Sequence, residues 1–320
     1  MLKSFFFQNR NKLISLSGFA QGTTYQVKYL ASDSIITLGQ VDSILNEIDL
    51  SLSLYRENSL INRFNQSERE IEMDKHMQEV VEHSLKTCTI TAGAFDISVK
   101  PLVDLWGFGT KGFSRLPEDS EVNKLLPCTG SRHLQVVGRK LIKSIPCIQI
   151  DCNGIAQGYG VDVLSEFISG KGIQNFLVEL GGEIRVKGKN DKSDHWSIGT
   201  ESPNESEELF SALVVQLSEG AITTSGNYRK TYSRNSKFYH HIIDPRTGFP
   251  SENGLVSVSV IAKNAITADA FDNAFMVMGI DSSLKLLESR KDLEAYFIYR
   301  KVNGMLADTA TKGFYSLVKD

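Results

Sequence analysis

The sequence contains no run near the ~20 consecutive apolar residues that a membrane-spanning helix needs. It has no Cys-x-x-Cys pair, no histidines at zinc-finger spacing and no Gly-x-Gly-x-x-Gly following a strand pattern. A structural zinc site and a dinucleotide-binding Rossmann crevice are thereby excluded as leading readings. No internal repeat, low-complexity tract or long run of one charge sign is present. The 35 basic and 38 acidic residues leave a net charge of −3, so the basic face that would meet a nucleic-acid backbone is missing. Cysteine is scarce, at 4 in 320 residues. Cys128 and Cys147 flank a hairpin pattern and could pair in an oxidising compartment; the alternative is four free, partly buried thiols. The opening MLKSFFFQNR turns polar too soon for a signal-peptide core. Either the protein works in the cytoplasm or a leader precedes this chain.

What remains is an ordinary globular composition, 41% hydrophobic. Tyr25 to Tyr29 alternates as a strand after a turn at Gln21–Thr23. A helix-period stripe runs from Ile36 to Ile48, opened by Asp33 and Ser34. Residues 51–65 read as polar and irregular, and a second helix carries Met77, Val80, Val81 and Leu85. A hairpin is expected over 134–142 and a short strand over 148–150. A helix follows the Asn153–Gly154 turn, and strands crowd the second half before a long helix from about Thr267 past Met278. Irregular alternation with clustered strands predicts an α+β fold of mixed sheets with packed helices, not a doubly wound parallel sheet. Residues 1–320 form one domain or two intertwined subdomains, with 1–20 as an N-terminal extension.

Three blocks could carry chemistry. Asp151 ends a strand pattern, and Asn153-Gly154-Ile155-Ala156-Gln157-Gly158 opens a helix. Unpaired N–H groups at a helix start suit phosphate or a polar ring edge, although a helix cap with close packing gives the same pattern. Asp269, Asp272 and Asn273 fall at i, i+3 and i+4, so one helix face carries two carboxylates and an amide. Hard oxygen donors of that kind suit Mg²⁺, whereas a lone acid in a first helical turn serves the helix dipole. His240-His241-Ile242-Ile243-Asp244-Pro245-Arg246-Thr247-Gly248 runs a strand into a turn. Its two histidines point to opposite faces, so one of them can face a cleft as a base, or both can be bystanders. Tyr55 could stack on a planar ring, Phe95 could be core, Asp96 could accept a ligand hydrogen bond, and Arg56 and Arg63 could hold phosphate.

Together these blocks, with Gly22-Thr23-Thr24-Tyr25, Leu54-Tyr55-Arg56, Gly93-Ala94-Phe95-Asp96, Trp106-Gly107-Phe108-Gly109, Glu179-Leu180-Gly181-Gly182-Glu183 and Ser225-Gly226, resemble the ApbE family of FAD:protein FMN transferases in order and spacing. The resemblance implies a T-fold-related architecture, with FAD as substrate and Mg²⁺ as cofactor. It implies flavin contacts from Gln21, Tyr55, Ala94, Phe95, Asp96, Asp151, Gln157 and Ile243. It also implies a metal held by Gly154, Asp269, Asp272 and Asn273, and catalytic roles for His241 and Asp269. The implied partner is an acceptor flavoprotein with a threonine-bearing flavinylation motif, and the implied reaction moves FMN to that threonine and releases AMP. The implied location is periplasmic, or membrane-anchored facing outward through a lipid that this chain does not display. The chain departs from the family pattern at Gln157, where Lys or Glu is frequent, and at Asn273, where Thr is frequent. An FAD pyrophosphatase yielding FMN and AMP, or a non-catalytic flavin-binding protein, are the alternative readings.

Overall fold

A computed structural model describes residues 11–110, 112–200, 213–227, 231–234 and 237–319. The chain order is β1 (Lys12–Ala20), β2 (Thr23–Ala31), α1 (Leu38–Leu52), α2 (Leu60–Gln66), β3 (Glu70–Glu72), α3 (Lys75–Ile90), α4 (Lys100–Leu105), α5 (Asp119–Leu125), β4 (Leu134–Val137) and β5 (Lys140–Lys143). It continues with α6 (Ala156–Gly170), β6 (Phe176–Leu180), β7 (Glu183–Lys187), β8 (Trp196–Gly199), β9 (Val214–Leu217), β10 (Glu219–Gly226), β11 (Thr231–Arg234), β12 (Lys237–His240) and β13 (Leu255–Ala262). α7 (Ala265–Met278), α8 (Ile280–Ser289), β14 (Glu294–Arg300), β15 (Leu306–Ala310) and α9 (Lys312–Tyr315) close it.

The organising element is an eight-stranded sheet in the order β1-β2-β6-β7-β10-β13-β14-β15, antiparallel throughout. Its interior strand β13, LVSVSVIA, is buried on both faces, as its near-continuous apolar run requires. α6 and α7 pack on one face of the sheet, against β6, β7, β10 and β13. α7 is buried over most of its circumference, the state expected of a helix apolar almost all round. A three-stranded sheet, β3-β5-β4, joins α2 and α3 around a second core containing Ile61, Phe64, Met77, Val80 and Leu141. The α+β expectation holds. Among the described residues no helix is long and apolar enough to cross a membrane.

Several local expectations are corrected. Lys12–Ala20 is not an appendage but the edge strand β1, paired with β2 along its whole length. Within residues 51–65, read as irregular, the chain enters α2 (Leu60–Gln66), capped by Ser59 Oγ accepting from Asn62 N at 3.3 Å. Residues 148–150 join no strand ladder. Instead the buried Asn65 carboxamide stands in for a neighbouring strand, accepting from Ile150 N (2.7 Å) and donating to Ile150 O (2.9 Å). The long helix stops at Met278, where Gly279 (φ 76) turns the chain into α8. Cys128 and Cys147 form a disulfide with Cα atoms 5.4 Å apart, a normal span for such a bond, and only Cys88 and Cys152 are free.

Candidate functional site

The site is built from two helices that could not approach so closely with ordinary side chains between them. A Cβ on Gly158 would lie 2.4 Å from the Ala265 carbonyl oxygen and 2.8 Å from Asp269 Cβ. The glycine lets α6 sit against α7, and its N–H donates to Asp269 Oδ2 at 2.9 Å. Asn264, at the start of α7, makes no side-chain cap. Asp162 of α6 caps it from outside, accepting from Ala265 N (2.9 Å) and Ile266 N (2.8 Å) and pairing with Arg185 at 2.7 Å. Asp162 thus fixes both the depth and the direction of α7, and with them the position of Asp269.

Asp269 and Asp272 are 3% and 1% exposed. Among the described residues no lysine or arginine forms an ion pair with either. Burial raises both carboxyls above the ordinary range, Asp269 to about 7, and the neighbouring Asp269 charge raises Asp272 further. Two buried carboxylates side by side are costly unless something positive meets them. The Asn273 amide takes that place: its Nδ2 shares its two N–H groups among Asp269 O (2.9 Å), Asp272 Oδ1 (2.9 Å), Asp269 Oδ1 (3.2 Å) and Gly154 O (3.4 Å). Four oxygens converge on the positive end of an amide dipole. Ser225 Oγ donates to the other end, Asn273 Oδ1, at 3.3 Å.

That donor set is hard, anionic and deficient in cation, and it fits magnesium. No three His, Cys, Asp or Glu side chains converge on one point among the described residues. A divalent ion here would therefore draw its remaining ligands from backbone carbonyl, amide oxygen, water or substrate phosphate, as magnesium commonly does.

The carboxylates open into a cavity of about 590 Å³, within the range of small-molecule sites. Gln21, Tyr55, Gly154, Gln157, His241, Asp269, Asp272 and Asn273 line it. A second cavity of about 150 Å³ is lined by Ala94, Phe95, Asp96, Asp151, Ile243, His241, Gly154 and Asn273. Of the residues singled out in the sequence, all but His240 and Arg63 border one cavity or the other. They are divided, however: Gln21 and Tyr55 stand on the larger cavity, the Ala94–Asp96 loop on the smaller. Gly154, Asn153, Asn273 and His241 border both.

Individual positions sharpen the expectations. Gln21 holds a left-handed backbone (φ 51) in the β1–β2 turn, a conformation that costs a non-glycine residue about 1 kcal/mol or more. Its Oε1 is buried without a partner among the described residues, and the residue lines the larger cavity. His241 meets Phe108 edge-to-face at 6.4 Å and lines both cavities, whereas His240 lines neither. Tyr55 is 70% exposed at the rim. Arg56 lines the larger cavity 3.4 Å from Asp49; Arg63 lines neither.

Asp96 differs from what its position suggested. Its carboxylate already accepts from Ser98 N (2.9 Å), Ser98 Oγ (2.7 Å), Ser131 N (2.7 Å), Ser131 Oγ (2.6 Å) and Cys88 Sγ (3.5 Å). With its lone pairs engaged, Asp96 fastens the cavity wall. Sequence reasoning gave no role to Asp162, Ser131 or Glu183. Glu183, 6% exposed, also lines the larger cavity; a charged residue opening a strand after Gly181–Gly182 was the one signal available.

Comparison with known proteins agrees with this geometry. The model of the ApbE family matches residues 21–297. A FAD:protein FMN transferase of Vibrio cholerae is 37% identical over 285 residues, covering 87% of this chain and 85% of that protein. One of Haemophilus influenzae is 34% identical over 317 residues, covering 95% and 91%. Among solved structures, the flavin transferase ApbE from Vibrio cholerae superposes with a TM-score of 0.87 at 35% identity, covering 96% of this chain and 99% of that one. The apo flavinyl transferase ApbE of Pseudomonas stutzeri also gives 0.87, at 34% identity, covering 96% and 97%.

Proposed function

The chain belongs to the ApbE family, and on that premise we propose that it is a magnesium-dependent FAD:protein FMN transferase that delivers FMN to a threonine of an acceptor flavoprotein and releases AMP. The observation that carries this reading is the convergence of the Gly154 carbonyl and the Asp269 and Asp272 carboxylates in the wall of the larger cavity. Magnesium held there by Gly154, Asp269, Asp272 and Asn273 would supply charge neutralisation for the FAD pyrophosphate.

The chain's own residues account for the rest. Gln21 lines the cavity that would hold the flavin, and Tyr55 at the rim offers a stacking face. The acceptor threonine's oxygen forms a new bond to the phosphorus of the FMN half. The P–O bond to the bridging oxygen breaks, and that oxygen leaves with AMP. His241 takes the hydroxyl proton in this reading, which its lining of both cavities supports. We place the activity outside the cytoplasmic membrane, a setting supported by the Cys128–Cys147 disulfide.

The test is incubation with FAD and Mg²⁺, with and without an apo flavoprotein acceptor carrying one flavinylatable threonine. Covalent, fluorescent FMN on the acceptor with one AMP per transfer supports the reading. FMN and AMP released equally without acceptor would make the protein a pyrophosphatase, and intact FAD would make it a binder. His241→Ala with an unchanged transfer rate would remove the histidine from the mechanism.

A further inference from the structure

The two edges of the eight-stranded sheet are not alike. β15 is five residues long and carries Asp308 in its middle. β1 runs nine residues, KLISLSGFA, with Lys12 its only charge, no proline, and an unbroken register against β2. Lysines, prolines, bulges and brevity are the devices by which proteins blunt a sheet edge. β1 uses only one of them, at the end far from the cavity.

The register shows which groups that edge offers. Thr24 O accepts from Gly181 N (3.1 Å), and Leu30 N donates to Asn175 O (2.9 Å). Thr24 and Leu30 therefore turn their backbone groups toward the β6 side, away from β1. Their partners across β1–β2 are Phe19 and Leu13. In an antiparallel pair, opposed residues either exchange hydrogen bonds or both face away. The backbone N–H and C=O of Leu13, Ser15, Ser17 and Phe19 therefore face outward along an edge that no strand among the described residues covers. The strand then runs straight into the cavity: Ala20 is followed by Gln21 and Gly22, which line it. Phe19, 72% exposed, sits at that end.

We propose that β1 is the docking edge for the acceptor, whose flavinylated segment adds to the sheet as an extra strand along Leu13–Phe19. This rests on the transferase reading above. A threonine hydroxyl stands only two bonds from its own Cα, so the acceptor backbone itself must come to the cavity rim. An edge strand continuous with that rim gives it hydrogen bonds whatever its side chains are, and Phe19 gives an apolar contact beside the entry. Recognition through main-chain pairing suits an extended segment of a protein and does not suit free FAD.

The test uses proline at an outward N–H. Ser17→Pro removes a donor that β2 does not use, and an outward edge position tolerates proline; Ser17→Ala removes only the hydroxyl. With an apo flavoprotein domain bearing one flavinylatable threonine, kcat/KM for covalent FMN transfer is expected to fall about tenfold or more in Ser17→Pro, chiefly through KM. Ser17→Ala stays near the unaltered enzyme. FAD affinity and Tm are expected to be the same in all three proteins. Transfer by a folded Ser17→Pro enzyme at the unaltered rate overturns the proposal, as does a β1-paired dimer that Ser17→Pro dissociates without loss of transfer. Should Ser17→Pro fail to fold, amide exchange on the unaltered enzyme decides. Protection of the Ser15 and Ser17 amides on adding acceptor is expected, and unchanged exchange refutes the docking. Failure of the unaltered enzyme to transfer at all is a separate result: it removes the transferase reading, and this proposal with it.

Discussion

Asp269 lines the larger cavity and Asp96 the smaller, both almost fully buried, and the protein treats them in opposite ways. Asp96 is surrounded by donors: two N–H groups, two hydroxyls and a thiol. Asp269 has the Gly158 N–H and a share of one amide, with Asp272 beside it. A charge that is fully solvated by protein adds to stability, whereas one left short of partners lowers it. One end of the site is finished by folding, and the other is left short of partners, as the proposed magnesium site would require. The distinction separates scaffold from chemistry more cleanly than burial or sequence identity does.

The largest effect expected from breaking this contrast is at Asp269. Asp269→Asn keeps the shape and removes the charge. FMN transfer should fall by about two orders of magnitude or more, since charge stabilisation by a metal site is worth several kcal/mol. In metal-free buffer at neutral pH the same variant should melt higher than the unaltered protein, by on the order of 1–3 kcal/mol, because an ionised carboxylate no longer has to be buried. Transfer assays and calorimetry on the one variant read both signs. A lower melting temperature would show that Asp269 is already satisfied without metal.

Asp96→Ala should do the reverse. It orphans the amides of Ser98 and Ser131 and the hydroxyls beside them, so a loss of about 3–4 kcal/mol is expected. KM for FAD should rise while kcat at saturation changes little, which separates wall-building from chemistry. A large fall in kcat with unchanged Tm would place Asp96 among the reacting groups instead.

The disulfide belongs to the same end. Cys128 and Cys147 lie 19 residues apart and bracket Ser131, whose amide and hydroxyl hold Asp96. Reduction, or Cys128→Ser with Cys147→Ser, should cost about 2–3 kcal/mol and weaken FAD binding. In metal-free protein the magnesium affinity, read by calorimetry, should stay unchanged. A loss of magnesium affinity on reduction would mean that the two ends are one unit.

What the sequence disclosed follows the same division. Asp269, Asp272 and Asn273 were legible because one helix carries them at a fixed spacing, and the α+β class because strand periods cluster in the second half. The partners that finish Asp96 were not: Ser131 is 35 residues away, and only the fold brings its amide to 2.7 Å. Asp162 was visible as an acid on α6, but its work as the cap of α7 is done across 103 residues of chain. Asn65 hid a strand substitute in a side chain, so residues 148–150 read as a strand. β1 was overlooked because its alternation of serine with small and apolar residues is weak, and its pairing partner, not its composition, makes it a strand.

The smallest expected effect concerns acid. α3 buttons onto both site helices through histidines: His76 Nδ1 lies 2.8 Å from Tyr159 Oη on α6, and His83 Nε2 lies 3.3 Å from Thr267 Oγ1 on α7. Burial, with nearby lysine or arginine charge, holds both imidazoles below the ordinary value of 6.5. A histidine whose folded pKa is depressed is neutral in the folded protein and gains a proton more readily once unfolded. Its contribution to stability is therefore whole above about pH 6.5 and drains away as pH falls through and below that point, at up to about 1.4 kcal/mol per pH unit for each proton taken up. The charged imidazolium of His76 would carry an N–H at Nε2, which is buried without a partner among the described residues. Tm should thus drop between pH 7 and pH 5, and His76→Gln should flatten part of that slope. Amide exchange at pH 5 should open α3, α6 and α7 before the Asp96–Ser131 contact. If the Asp96 end opens first, the histidines are not what holds the Asp269 end, and the division of the site into an acid-sensitive half and a redox-fastened half fails.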